Sequence, residues 1–145
     1  EDPAAVRPHQ SLSSRYVGPR PIPSYRTRRS SDPGHGTIGV TAPASTWYLA
    51  EGFTGSGFGT YILIQNPGSE AAVIEVTYML QGGEMINKIV NVPGNSRYTI
   101  VAQDPLQVGL DQAFSTKLES TQPIIVERAM YFNNGGHATI GVMEP

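Results

Sequence analysis

The chain contains no cysteine. That excludes disulfides, zinc–thiolate centres and thiol catalysis together. It leaves the compartment open, because a domain with enough core needs no disulfide even when secreted. Lysine occurs only at Lys88 and Lys117, and Asn-x-Ser/Thr acceptors are missing. No apolar run reaches the roughly 18 residues of a membrane-spanning helix, so no membrane insertion is expected. A start at Glu1 rather than methionine is what a processed mature protein or a cut fragment would give. None of the serines sits in a G-x-S-x-G elbow, so a hydrolase reading fails at its first requirement. The three histidines (His9, His35, His137) lack ligand spacing, so neither a metal nor another cofactor is expected.

What is plentiful is glycine (16), proline (12) and β-formers such as Val, Ile, Thr and Tyr, with only 15% charged residues. That mixture predicts an all-β chain with many turns. Charge is distributed unevenly. Residues 1–34 carry six arginines against three acids, a net +3, whereas residues 35–145 carry a net −5. Six prolines interrupt the same N-terminal stretch, and VGPRPIPSY (Val17 to Tyr25) reads as extended, close to polyproline II. Two parts follow: an extended basic arm over 1–35 and a folded domain over 36–145. A basic arm on an acidic body attracts the body of another copy, so self-association is the economical partnership. Nucleic acid is not expected, since the body offers no basic face to extend the contact.

From Gly36 onward, short strands alternate with explicit turns such as Asn66-Pro67-Gly68, Gly82-Gly83 and Pro93-Gly94-Asn95. The predicted strands are Thr37–Thr41, Thr46–Glu51, Thr60–Gln65, Ala72–Leu80, Met85–Val92, Ser96–Ala102, Ala113–Ser120, Ile124–Phe132 and Thr139–Met143. Alternation puts Ile74, Val76, Tyr78 and Leu80 inside with Glu75 and Thr77 outside. It likewise puts Tyr98, Ile100, Phe114 and Leu118 inside. The runs Tyr61-Ile62-Leu63-Ile64 and Ile124-Ile125-Val126 are continuously apolar, as expected of strands covered on both faces, and Tyr131 and Phe132 read as core. The expected fold is an antiparallel two-sheet sandwich, immunoglobulin-like, of seven to nine strands.

The chain also echoes itself. His35 to Pro43 reads HGTIGVTAP and His137 to Pro145 reads HATIGVMEP, with six of nine positions matching. An echo at both edges of one domain suggests a strand that closes one module and leads into the next. Thr37, Ile38 and Val40 would then add as a strand to a neighbour's open sheet edge. Val17, Ile22 and Tyr25 would fill pockets along its surface, and Arg26, Arg28 and Arg29 would meet its acidic side chains.

WYLAEGFT (Trp47 to Thr54), IQNP (Ile64 to Pro67), VTY (Val76 to Tyr78), PGNSR (Pro93 to Arg97) and ERAMYF (Glu127 to Phe132) recur together in a known pattern. The chain over about 36–145 resembles the tandem β-sandwich modules of unknown function in predicted secreted and cell-surface proteins of bacteria and archaea. The resemblance implies an extracellular location and a modular, non-catalytic role, and it carries no active site to transfer. The chain departs from that pattern in having a single copy and the basic arm.

Two acids lie inside strongly apolar stretches, Glu51 and Glu127, and Arg128 sits mid-strand beside the second. A partly buried bidentate bridge from Arg128 to Glu51 or Glu127 is the expected arrangement, with a glycosidase pair of carboxylates as the catalytic alternative. The loops Phe53 to Phe58 and Asn133 to Gly136 are the places for a glycan or partner to touch. The sequence thus points first to a non-enzymatic subunit of an extracellular filament or surface assembly, a homopolymer joined head to tail. Its alternative is an adhesion or carbohydrate-binding module.

Overall fold

A computed structural model describes residues 36–133 and 135–143, together with the strand Pro23–Ser24. Val17, Ile22, Tyr25, Arg26, Arg28, Arg29 and His35 lie outside the described residues. The fold is all-β and antiparallel. Strands β1 (Pro23–Ser24) and β2 (Thr37–Ile38) form a small pair. The other eight are β3 (Ala44–Phe53), β4 (Phe58–Asn66), β5 (Ala72–Leu80), β6 (Met85–Val92), β7 (Ser96–Val101), β8 (Ala113–Phe132), β9 (Gly135–Ile140) and β10 (Val142–Met143). They belong to one hydrogen-bonded sheet.

The sheet is single because β8 is single. Sequence reading divides it at Gln122-Pro123 into two strands, but all 20 residues are extended. Its first half pairs with β3 and β5, through Leu118 opposite Trp47 and opposite Val76. Its second half pairs with β4 and β9, through Arg128 opposite Ile62 and opposite Thr139. Pro123 falls after the β5 pairing ends at Ser120 and before the β4 pairing begins at Ile125, within the register shift that separates Ala44 opposite Ile124 from Thr46 opposite Glu119. Proline lacks an N–H, and there its absence breaks no ladder. Strands β6 and β10 extend the first half and β7 extends the second.

The last predicted strand, Thr139–Met143, is likewise redrawn. It begins earlier, at Gly135, and is cut at Gly141, where the chain leaves β8 for β3. A Cβ on Gly141 would stand 2.9 Å from the Trp47 ring, so only glycine lets the chain pass so close. The strand predicted over Thr37–Thr41 shrinks to Thr37–Ile38.

The core gathers inward side chains from both halves: Trp47, Ile62, Ile64, Ile74, Val76, Tyr78, Leu118, Ile124 and Val126 are buried. The expected inward set holds with one exception. Tyr98 shares the face of Ile64 and Ile100 yet is 43% exposed, on a strand that pairs only with β4 among the described residues. Tyr131 and Phe132 are half-buried rather than core. Tyr61 and Tyr131 instead pack edge-to-face, with ring centres 5.7 Å apart.

Candidate functional site

Three of the polar anchors that fasten the two halves of the sheet together bear on the site. Trp47 Nε1 donates to the Ala44 carbonyl and to the Ile124 carbonyl, each at 3.0 Å, so one buried indole ties β3 to the partner switch in β8. Asn66, fully buried at the end of β4, donates to the carbonyls of Glu70, Val92 and Pro93 and accepts from Gly68 N–H. The Asn-Pro-Gly turn is therefore clamped to the end of β6.

The third anchor gathers the charges. Arg128 is 3% exposed and reaches Glu51 of β3 and His137 of β9. Its Nη1 donates to the Glu51 carbonyl at 2.6 Å and to the Glu51 carboxylate at 3.1 Å. Its Nη2 lies 3.2 Å from His137 Nδ1 and 3.1 Å from Nε2, so the nitrogen that carries the lone pair can accept. The His137 ring also lies 4.0 Å from the Glu51 carboxylate. Arg128 Nε is buried with no hydrogen-bond partner among the described residues.

The geometry settles which acid meets the arginine. Neighbours in a strand point to opposite faces, so Glu127 and Arg128 cannot share a site. Glu127 faces outward, where burial pushes its carboxyl above the usual value and the Arg97 guanidinium partly pulls it back. The pairing with Glu51 is made through one guanidinium nitrogen rather than two. Nor is its carboxylate buried, since that side chain is 64% exposed. Losing Arg128 therefore strands no buried carboxylate. The buried charge is the arginine itself, and what it would leave unpaired is the Glu51 carbonyl.

This placement limits the chemistry. Glu51 and Glu127 lie on opposite faces, so they cannot flank one glycosidic bond. Arg128 has both terminal nitrogens engaged and its Nε covered, which suits an anchor better than a substrate grip. Beside Glu51, a wide-open depression of about 400 Å³ is lined by Ala50, Gly52, Leu80, Gln81 and Phe114, with Glu51 its one charged side chain among the described residues. No group of three His, Asp or Glu residues that could hold a metal ion occurs among the described residues.

Sequence reasoning missed His137 as a partner of Arg128. The signal was faint: Arg128 and His137 lie nine residues apart across a turn rich in asparagine and glycine, the spacing of facing strands in a hairpin. Of the two loops singled out for contact, Phe53 to Phe58 meets the end of β8 just before the second, Asn133 to Gly136. Phe58 stacks on Phe132 at 5.0 Å between ring centres and meets Phe53 edge-on at 5.3 Å. The two copies of the echo also meet, where Ile140 N–H donates to Thr37 Oγ1 at 3.1 Å. Val40 packs against the core.

No family model and no curated protein matches this chain. Among solved structures, the fold is similar to that of Thermotoga maritima 1070, at 19% identity and a TM-score of 0.63, over 70% of this chain and 96% of that one. It is also similar to the Anabaena sensory rhodopsin transducer, at 26% identity and a TM-score of 0.53, over 59% of this chain and 87% of that one.

Proposed function

We propose that the chain is a non-enzymatic subunit of an extracellular or cell-surface assembly, in which copies join head to tail by exchanging the segment that ends at Val40. The observation that carries this reading is the position of β2. It pairs with β1, outside the eight-stranded sheet, and meets the body where Thr37 accepts the Ile140 N–H. Five residues, Gly39 to Pro43, then lead into β3. If that connection opens, β2 of a neighbouring copy makes the same contact at Ile140, and exchange of identical elements is a low-cost route to association. The basic arm and acidic body favour the same encounter. We further read the folded sheet as a two-layered, immunoglobulin-like sandwich carrying the arm outside it.

The anchoring role of Arg128 and the separation of Glu51 from Glu127 support a role without catalysis. The Anabaena neighbour is named as a transducer, and transduction calls for a contact surface rather than a reaction centre. A second reading, a glycan-contacting surface module, is favoured by the meeting of Phe53, Phe58 and Phe132.

The test is light scattering with negative-stain microscopy on the full chain and on a chain starting at Gly36. Large oligomers that vanish with the arm are expected. Two equally monomeric samples would overturn the polymer reading and direct attention to a glycan screen, with Phe58→Ala as its control.

A further inference from the structure

We propose that the free edge of β6 pairs antiparallel with β6 of a second copy, so that two chains share one continuous sheet. Among the described residues, β6 pairs only with β5. A strand at a sheet edge presents unpaired N–H and C=O groups, and natural proteins usually blunt it with proline, charge or a bulge. Here the eight residues Met85–Val92 contain no proline and one charge, Lys88, and they pair with β5 in unbroken register. The outward face carries no charge on β6 where a guard would be expected: Met85 is 68% exposed and Ile89 67%, alternating with exposed Asn87 and Asn91.

The occupant follows from the strand's own residues. Two copies of one strand that meet antiparallel are related by a two-fold axis, and facing residues must lie on the same side of the sheet. The axis therefore passes through a residue position. The two longest registers place it at Lys88 or at Ile89. An axis at Lys88 opposes the two lysines, which is unfavourable for directly facing like charges. An axis at Ile89 opposes Ile89 to Ile89, sets Asn87 against Asn91 on both sides, and leaves Lys88 facing Val90.

That register is self-complementary in each row. The exposed isoleucines cover one another. Each flanking amide pair can donate and accept reciprocally. An unrelated strand has no reason to carry asparagine two residues before and two after its isoleucine, whereas a second copy does by symmetry. Glu75, the β5 neighbour of Ile89, would face its counterpart across three strand spacings, about 14 Å, where salt screens the repulsion. This contact uses an edge that exchange of the arm does not touch, and it stands without it.

The absence of cysteine makes the test direct, since each single-cysteine variant of the full chain carries one thiol. Ile89→Cys, Lys88→Cys and Met85→Cys are oxidised mildly and resolved without reductant. At least tenfold faster dimer formation is expected for Ile89→Cys than for Met85→Cys, whose site is equally exposed. Light scattering should show Ile89→Lys shifted towards monomer, and an equal mixture of Ile89→Lys with Ile89→Glu should restore the dimer. Equal cross-linking at positions 89 and 85, or a dimer indifferent to Ile89→Lys, overturns the contact. Fastest cross-linking at Lys88→Cys overturns the register. Assembly through the arm alone would give species larger than a dimer with no preference for position 89, so the two readings fail separately.

Discussion

The two halves of β8 are one strand in two environments. Over Ala113–Ser120, buried Phe114, Thr116 and Leu118 alternate with half-buried Ser115 and Lys117 and exposed Glu119. Over Ile125–Phe132 the outward positions are Ile125, Glu127, Ala129 and Tyr131, all at least partly buried. The first half reads as one-sided, and the second opens on the continuously apolar run Ile124-Ile125-Val126. Period-two alternation reports whether the outer face is wet, and it does so half by half along a single strand. Glu127 shows the cost of the drier face, because its carboxyl is held in surroundings that resist its charge.

The comparison breaks most readily where the halves are tied. Trp47→Ala removes a fully buried ring and a donor that Ala44 and Ile124 share, and should cost about 3–5 kcal/mol in urea unfolding. If the shared strand makes the halves one cooperative unit, the variant still melts in a single step. Two separate transitions would mean that each half folds alone.

The charged anchor should matter less, and asymmetrically. Arg128→Ala leaves the Glu51 carbonyl without its donor and opens space among β3, β8 and β9, for about 1–3 kcal/mol. Glu51→Ala keeps the carbonyl contact and loses only an exposed carboxylate, so its cost should stay below about 1 kcal/mol. Equal losses in the two variants would show that the carboxylate, not the carbonyl, holds the arginine.

The smallest effect sharpens the contrast between faces. A carboxyl whose folded pKa is raised binds its proton more tightly when folded, so its contribution to stability falls as pH rises from the unfolded value towards the folded one. Glu127→Gln removes that penalty. Its melting temperature should exceed that of the native chain at pH 7, and the two should converge near pH 4. A variant less stable than the native chain at pH 7 would show that the attraction to Arg97 outweighs burial.

Much of this molecule was legible in the residues. Five of the nine predicted strands match observed ones within two residues, because turn dipeptides and alternation are local signals. The errors share one cause. Gln122-Pro123 looks like a strand break, yet a proline that falls between two sets of partners breaks nothing. Gly141 looks like an interior glycine, yet the Trp47 ring makes it a crossing point. Glu127 looks as good a partner for Arg128 as Glu51 does, and adjacency in sequence favours it, but adjacent residues of a strand face apart.

The sequence by itself determined an all-β chain, the inward face of most strands and the uneven charge of residues 1–34 and 35–145. Composition, period and charge are properties of the chain alone. Only the tertiary structure decided that one strand serves both halves of the sheet, that Arg128 closes on Glu51 and His137, and that the two copies of the echo meet at Thr37 and Ile140. Those are pairings between residues far apart along the chain, and they depend on which strands become neighbours.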